Sequence, residues 1–176
     1  MRRFKPVKEE LLQNRYEGEE NLQDQVILPI RGTKTSAGYD FIAPFDLVIR
    51  PQDKVFFWSD VCAEMEDDEV LLLDMRSSLG VKKDLMLANT IAVIDSDYIN
   101  AENGGNIGIM IRNLKPQVKY EIKENGKLDV IPQIQENTIV IKKGEAVCQG
   151  IFVKFLESDN CNTEIERTGG FGSTSK

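Results

Sequence analysis

Apolar residues in this chain form many short runs, and polar turn residues stand between them. The runs recur roughly every 8 to 15 residues, and Pro, Gly, Asn and Asp separate them. This spacing predicts an all-β domain of the sandwich, jelly-roll or barrel type. The predicted strands are "QVILPI", "YDFIAPFDLVI", "KVFFWSDVCAEM", "EVLLLDM", "TIAVID", "NIGIMIRN", "QVKYEI", "NTIVIK" and "AVCQGIFVKFL".

Two stretches need a separate interpretation. Residues 7–24 mix charged and apolar positions, which predicts a short surface helix or an unstructured connection after an edge strand around "RRFKPV". "KENGK" places Asn125-Gly126 between "VKYEIK" and "LDVI". This dipeptide predicts a hairpin with a two-residue turn.

Size and charge narrow the possible functions. The chain has 176 residues, which suits one domain with a real core, and no internal repeat or second domain is evident. Its formal charge of −7 argues against direct binding to nucleic acid or to anionic lipid. The apolar runs are too short to span a bilayer. We therefore expect a cytoplasmic protein without a membrane partner.

The content of titratable residues limits the chemistry. Histidine is absent, which removes the usual general base and the commonest zinc ligand. Cys62, Cys148 and Cys161 are widely spaced and odd in number, so they predict reduced thiols rather than a disulfide framework or a four-cysteine zinc site. Any catalysis must therefore use carboxylates.

Two loops carry groups suited to an anionic ligand. "SAGYDFIAP", residues 36–44, has a tight Ala37-Gly38 step followed by Asp40 at the start of a strand. "MRSSLG", residues 75–80, offers an arginine, two hydroxyls and free amides at a strand end, which fits phosphate. Ordinary structural turns are the alternative interpretation of both loops.

A third loop has the composition of a pocket. In residues 88–113 two apolar stretches flank a polar, glycine-bearing tip, with Asp95, Asp97 and Tyr98 on one side and Gly108 on the other. A carboxylate such as Asp95 can orient and deprotonate a water molecule. A loop-capping role for the two aspartates is the alternative.

The last two candidate segments lie near the end of the chain. Gln149 stands within the apolar strand of "KKGEAVCQGIF", residues 142–152, where its partner is either a ligand or the backbone. The terminal "RTGGFGSTSK" combines three glycines with Arg167, Phe171, Ser173 and Thr174. The arginine and the two hydroxyl residues can bind phosphate, and the phenylalanine can cover a flat ring, so the tail could be a lid over a ligand. A frayed, glycine-rich chain end is the alternative.

The order of these segments is more informative than any one of them. "AGYDFIA", "RSSLG", "NTIAVIDSDY…NIGIMIRN", "KKGEAVCQGIF" and "GGFGST" resemble, in sequence order, the five motifs of the homotrimeric dUTP pyrophosphatase (dUTPase) family. The resemblance spans residues 36–174. It implies a jelly-roll homotrimer with active sites at the subunit interfaces. It also implies Mg²⁺-dependent hydrolysis of dUTP to dUMP and pyrophosphate.

The resemblance further implies roles for matching residues. Asp95 matches the carboxylate that activates the attacking water, and Tyr98 matches the residue beneath the deoxyribose. Asp40 matches the acid that orients waters around Mg²⁺. The positions that match the uracil-binding part are Asn89 and the backbone of Ile107, Gly108 and Ile109. The positions that match phosphate contacts in the second and fourth motifs are Arg76, Ser77, Ser78 and Gln149.

The family's C-terminal arm matches the end of this chain. Phe171 would stack over uracil, and the phosphate-contacting positions of the arm would be Arg167, Ser173 and Thr174. Gly172 is a further substrate-binding position of the arm. We accordingly divide the chain into an N-terminal extension (1–24), a β core (25–158) and a mobile arm (159–176). The segment between Arg167 and the glycines is one residue shorter than the usual fifth motif, which leaves the arginine's contact open.

Two insertions and two rival functions stay open. The tip 99–105 and the stretch 117–139 are longer than in many family members, and they could contact a regulatory protein partner. A dCTP deaminase shares this fold and the "RSSLG" segment, but "IDSDY" and "GGFGST" favour dUTP hydrolysis. A nucleotide-responsive interaction protein on the same scaffold is the other alternative.

Overall fold

Strands are the main regular elements in a computed structural model that describes residues 1–13, 22–160 and 169. The strands are β1 (Arg3–Pro6), β2 (Ile30–Arg31), β3 (Tyr39–Ile42), β4 (Leu47–Ile49), β5 (Lys54–Trp58), β6 (Val61–Glu64), β7 (Glu69–Met75), β8 (Leu85–Leu87), β9 (Ala92–Asp95), β10 (Gly108–Asn113), β11 (Val118–Ile122), β12 (Leu128–Pro132), β13 (Ile139–Ile141) and β14 (Ala146–Lys154). The helices are α1 (Glu9–Gln13), α2 (Leu22–Gln25), α3 (Ser77–Lys83) and a 3₁₀ helix, Ser96–Asn100. No helix in these described ranges is long and apolar enough to cross a membrane.

The strands pair into antiparallel sheets whose order differs from their order in the chain. The largest sheet has five strands in the order β2-β3-β14-β7-β9. A three-stranded sheet has the order β5-β10-β8, and β1-β6, β4-β13 and β11-β12 form separate pairs. Apart from β2-β3 and β11-β12, neighbouring strands are not consecutive in the chain, as the all-β jelly-roll expectation requires.

Alternate residues of these strands form one main core. Phe41, Leu71, Leu73, Ile109 and Ile111 are at most 2% exposed and belong to the same cluster. Burying each such side chain contributes about 1.5–3 kcal/mol. Gly150 lies where this core is tightest, since a Cβ there would come within 2.9 Å of a Phe41 ring carbon.

The N-terminal segment packs onto the strands through a second, smaller cluster. Val7, Leu12, Leu22 and Cys62 are buried together, and Ile99 packs against them. The carboxylate of Glu9 accepts hydrogen bonds from the backbone N–H groups of Leu22 and Gln23, at 3.0 and 3.2 Å. These hydrogen bonds connect the residue range before positions 14–21 with the range after them.

Strand β1 is also held by ion pairs. Arg3 and Lys5 both contact the carboxylate of Glu64 on the paired strand β6. Arg2 contacts Glu69, whose side chain is buried. The hydrogen bond from Arg3, and then that from Lys5, lowers the pKa of Glu64. The edge strand predicted around "RRFKPV" is thus confirmed.

The hairpin predicted from Asn125-Gly126 is confirmed, but its two-residue turn was wrong. The N–H of Lys123 donates to the carbonyl of Lys127 at 2.9 Å, which encloses three residues. Gly126 has φ of +76°, whereas Asn125 is not among the described residues with positive φ. The strands are therefore connected by a three-residue loop, which consists of a turn followed by one residue in the left-handed conformation. This loop needs positive φ at only one position, whereas the two-residue type I′ turn needs it at two.

Other expectations were also wrong in detail. "YDFIAPFDLVI" is two strands, β3 and β4, with Pro44 between them. "KVFFWSDVCAEM" is two strands, because Asp60 adopts a φ of +65° and breaks the run. "RSSLG" begins the short helix α3 rather than an open turn. Burial of Leu79, two lysines in the last turn and a left-handed Asp84 that donates its N–H to the Leu79 carbonyl stabilise this helix. These are tertiary and capping effects, which outweigh the poor helix propensity of its glycine and serines.

Candidate active site

One group of predicted site residues meets at an end of the five-stranded sheet. Gln149 on β14 lies opposite Asp40 on β3 and opposite Asp74 on β7, so the three residues form a row across three strands. Arg76 follows β7 directly, and its guanidinium lies 3.4 Å from the Asp40 carboxylate. We call Asp40, Asp74, Arg76 and Gln149 the arginine group. It offers one cation and several oxygen atoms on a solvent-facing edge.

A glycine determines how Gln149 lies in this group. A Cβ on Gly38 would come within 2.6 Å of Gln149 Oε1 and 3.1 Å of Gln149 Cβ. The close approach is possible only because residue 38 has no side chain. The tight Ala37-Gly38 step seen in the sequence therefore has a specific role, which is to let the amide of Gln149 pack against the β3 loop.

The serines of the second motif lie beside the arginine group. Ser77 and Ser78 open α3 and are exposed, while Arg76 stands at the position before the helix. The helix turns back on Arg76, whose carbonyl accepts the N–H groups of Leu79 and Gly80 at 2.8 and 2.9 Å. Ser77 and Ser78 are thus exposed residues that directly follow Arg76 in the chain.

A buried thiol beneath this group is chemically inert. Cys148 precedes Gln149 and is fully buried. Burial, and then the negative charges of Asp40 and Asp74, raises the pKa of the Cys148 thiol. The thiol stays protonated at neutral pH, so it cannot act as a nucleophile there.

A second group surrounds the long loop between β8 and β10. The N–H of Ala88 donates to the Met110 carbonyl at 2.8 Å, so the chain leaving β8 continues beside β10 toward Gly108. Asn89 is exposed there. The next residue, Thr90, has φ of +63°, which β-branched residues rarely adopt. This tight turn directs the chain from Asn89 into β9.

Asp95 and Tyr98 belong to the same loop. Asp95 is the last residue of β9 and is exposed, and Tyr98 lies in the 3₁₀ helix that follows, where its side chain is buried. The Tyr98 hydroxyl donates to the Asn106 carbonyl at 2.9 Å, two residues before Gly108. We call Asn89, Asp95, Tyr98 and Gly108 the aspartate group.

The two isoleucines beside Gly108 face the core. Ile107 and Ile109 are buried, whereas Gly108 is partly exposed. The N–H of Ile107 donates to the Val61 carbonyl, and its own carbonyl accepts the N–H of Ser59, both at 3.0 Å. Because alternate residues of a strand direct their backbone groups to opposite sides, those of Gly108 point away from β5, toward the Asn89 side.

Asp95 and Gln149, one from each group, lie on the same face of the large sheet but are well separated. Asp95 is opposite Val70 on β7, whereas Gln149 is opposite Asp74 on the same strand. Four strand positions correspond to about 13 Å. Both β7 positions are even-numbered, so their side chains point to the same side of the sheet. One chain therefore does not bring its predicted catalytic carboxylate next to its predicted phosphate-binding residues.

An apolar row separates the two groups. Ile151 on β14 lies opposite Leu72 on β7, and Leu72 lies opposite Val93 on β9. Val93 is 60% exposed, and the other two are partly exposed. A solvent-facing apolar row between two polar groups is a feature typical of a surface that a partner covers.

Sequence reasoning overlooked some supporting residues. Asp74 completes the row with Asp40, and Thr90 forms the turn after Asn89. Asn103 hydrogen-bonds the Tyr98 hydroxyl at 2.9 Å. The period-two pattern of β7 could have placed Asp74 on the face of Leu72, but only the register of β14 shows that it neighbours Gln149. Arg167, Phe171, Gly172, Ser173 and Thr174 lie outside the described residues.

Three comparisons with known proteins agree on one family. A family model described as dUTPase matches residues 24–128. The deoxyuridine 5′-triphosphate nucleotidohydrolase of Lactococcus lactis is 36% identical over 150 residues, which are 84% of this chain and 87% of the relative. The crystal structure of dUTPase from Streptococcus mutans is 33% identical, has a TM-score of 0.60, and aligns with 78% of this chain and 91% of its own.

A third similar structure supports the fold. It is a mutant dUTPase from phage phi11 of S. aureus, described as showing the coordination of a structural Mg(II) ion. It is 24% identical, has a TM-score of 0.62, and aligns with 94% of this chain and 97% of its own.

Proposed function

We propose that this chain, which belongs to the dUTPase family, hydrolyses dUTP to dUMP and pyrophosphate at sites completed by neighbouring copies of itself. One structural observation supports a site that is built from more than one chain. The aspartate group and the arginine group lie about 13 Å apart along β7 within a single chain. The exposed apolar row between them suits a subunit interface. In a homotrimer, the aspartate group of one chain would meet the arginine group of the next.

Asp95 is the proposed general base. It accepts a proton from a water molecule, whose oxygen then attacks the α-phosphorus in line with the leaving group. The bond from that phosphorus to the bridging oxygen breaks, and pyrophosphate leaves. A positioned general base of this kind contributes about 10²- to 10⁴-fold in rate. The exposure of Asp95 in the single chain supports this role, because a substrate bound between chains can reach it.

The loop around Gly108 is the proposed uracil site. The backbone N–H and carbonyl of Gly108 point toward the Asn89 side and can pair with one edge of a pyrimidine. Cytosine exchanges a donor and an acceptor on that edge, and leaving buried groups unpaired costs about 1–3 kcal/mol each. Backbone groups of Ile107 and Ile109 were also predicted to take part, but the hydrogen bonds of Ile107 to Val61 and Ser59 favour Gly108 as the main contributor.

The arginine group is the proposed triphosphate site. Arg76 supplies a fixed positive charge, and Ser77, Ser78 and Gln149 supply hydrogen-bond donors around it. Local arginines together with one divalent ion would let a chain with a net charge of −7 hold a highly charged anion. Phe171 and the other arm residues, Arg167, Gly172, Ser173 and Thr174, are proposed to close over the bound nucleotide and exclude water.

Magnesium fits the donors of the arginine group. Asp40, Asp74 and Gln149 offer the oxygen atoms that Mg²⁺ prefers, and no cluster of three or more acidic or thiol ligands occurs in the described part of the chain. An ion held mainly by the triphosphate and by water, with Asp40 orienting those waters, agrees with this arrangement. When bound, it would offset the charge that develops on the phosphoryl group.

A protein-binding role is a second proposal, which the insertion 117–139 favours. Tyr120, Ile122, Leu128 and Val130 share one face of the β11-β12 hairpin and are 52–78% exposed. A two-stranded hairpin is marginally stable in water by itself. Four side chains cover less area than the roughly 800 Å² per partner of a stable interface. A regulatory protein with an apolar docking strand, bound transiently, is the proposed occupant.

Pyrophosphate release tests the proposed function. The purified protein is assayed with Mg²⁺ and, separately, dUTP, dCTP, dTTP and UTP. Selective release from dUTP is the expected result. Ammonia from dCTP would instead identify a deaminase, and binding without any turnover would favour a regulator.

A further inference from the structure

The Tyr98 hydroxyl lies within a hydrogen-bond network formed by the insertion 99–105 and the residue that follows it. Tyr98 donates to the Asn106 carbonyl at 2.9 Å, and Asn103 Nδ2 donates to the Tyr98 hydroxyl at 2.9 Å. Asn103 Nδ2 also lies 3.2 Å from the Asn106 carbonyl. The three groups form a closed triangle. The direction of the phenol ring therefore depends on Asn103 as well as on the backbone.

The loop that carries Asn103 is itself held in place. Asn103 Oδ1 accepts the N–H of Gly105 at 3.2 Å. Gly105 has φ of +72°, and a Cβ there would come within 2.6 Å of Ile99 Cα, so the loop lies directly on the backbone after Tyr98. A Cβ on Gly104 would likewise meet Leu11 of α1 at 2.6 Å. The two residues that follow Asn103 are thus packed against Leu11 and Ile99.

We propose that Asn103 is a positioning residue that orients the Tyr98 ring and thereby sets discrimination between deoxyribose and ribose. This inference rests on the proposed function and on the role that the family resemblance implies for Tyr98, which is to pack beneath the deoxyribose. A ring with two hydrogen bonds to its hydroxyl cannot swing aside to admit a 2′-hydroxyl. Without Asn103, the hydroxyl keeps its bond to the Asn106 carbonyl but loses the second bond that fixes its direction.

The position of Asn103 predicts a particular kinetic change. Tyr98 contacts the sugar in the ground state and in the transition state alike, so a looser ring weakens binding more than chemistry. Loss of one hydrogen bond is expected to change the dUTP-to-UTP ratio of kcat/KM about fivefold. The ratio falls because the KM for dUTP rises while UTP is admitted more readily. The kcat for dUTP stays within about twofold.

The experiment is a double-mutant cycle between Asn103 and Tyr98. The ratio is measured for the wild type, Asn103→Ala, Tyr98→Phe and the double variant, each with a thermal unfolding curve. Tyr98→Phe removes the hydroxyl but keeps the bond from Gly105 to Asn103. Asn103→Ala is expected to lower the ratio in the wild-type background and to have no further effect in the Tyr98→Phe background. If Asn103→Ala does not fold, Asn103→Leu, which is closer in volume, replaces it.

The results distinguish this inference from the proposed function. An active Asn103→Ala with an unchanged ratio overturns the inference alone. The same fall in both backgrounds also overturns it, because Asn103 would then act on the loop and not through the phenol. A wild type that does not hydrolyse dUTP refutes the proposed function instead.

Discussion

Asp95 and Gln149 point to the same side of the large sheet, yet they stand opposite β7 residues four positions apart, Val70 and Asp74. If each site combines Asp95 of one chain with Arg76 and Gln149 of another, two inactive variants should complement each other. Asp95→Asn and Arg76→Ala chains are each expected to be inactive alone. Random mixing in a cyclic trimer should restore about one quarter of the wild-type activity, since one interface in four joins the two intact groups.

Refolding equal amounts of the two variants together, followed by a pyrophosphate assay, measures this recovery. Each variant refolded alone is the control. Activity no greater than the sum of the two controls would mean that one chain supplies both groups.

The apolar row gives a separate test of assembly. Val93 is 60% exposed in the single chain, so Val93→Asp should leave the subunit fold intact. A buried, unpaired carboxylate in the interface would oppose association. Light scattering is expected to show a shift from trimer to monomer, with loss of at least tenfold in activity at micromolar protein. Val93→Ala, which adds no charge, is the control, and a Val93→Asp variant that stays trimeric would place the interface elsewhere.

Replacing the proposed base isolates its chemical role. Asp95→Asn keeps the size and polarity of the side chain but cannot accept a proton from water. We expect a fall in kcat of about 10²- to 10⁴-fold, with the affinity for dUTP changed only a few-fold. Calorimetric titration with a non-hydrolysable dUTP analogue measures the affinity. Turnover close to the wild-type rate would exclude Asp95 as the base.

The contact between Gly38 and Gln149 can be tested with a matched pair of variants. A methyl group at residue 38 would overlap Gln149 Oε1 and displace the amide, whereas nothing lies within 4 Å of a Cβ at Gly32. Gly38→Ala is expected to lower kcat/KM for dUTP about tenfold, since misplacement of a positioning group by about 1 Å is costly. Gly32→Ala should leave it unchanged. Equal effects of the two substitutions would show that Gln149 is not the cause.

The ion pairs on β1 predict how stability changes with acid. Arg3 and Lys5 hold the pKa of Glu64 below its ordinary value of 4.5 in the folded protein. Because the pKa of Glu64 is lower in the folded protein than in the unfolded chain, its ion pairs stabilise the fold at pH values above the unfolded-state pKa. This stabilisation is lost as the pH falls through the folded-state pKa. Melting temperatures measured from pH 6 to pH 3 should therefore decline in acid. Glu64→Gln should be less stable at pH 6 and should show a shallower decline, and an identical slope would argue against this pair.

The sequence alone determined the features that depend on neighbours along the chain. Short apolar runs with turn residues between them indicated an all-β fold, and Asn125-Gly126 indicated a hairpin. The ordered motifs from "AGYDFIA" to "GGFGST" identified the family. These are local signals, because strand period, turn conformation and motif spacing are all read over a few residues. The site residues and the division into extension, core and arm stay predictions.

Only the tertiary structure decided which residues lie side by side. The pairing of β14 with β3 and β7 brings Gln149 to Asp40 and Asp74, and the register of β9 keeps Asp95 away from them. The contact of Asn103 with the Tyr98 phenol likewise depends on how a loop folds back. Alternation along a strand tells which side chains share a face, but strand order and register come from long-range packing of the whole core, which no short segment contains.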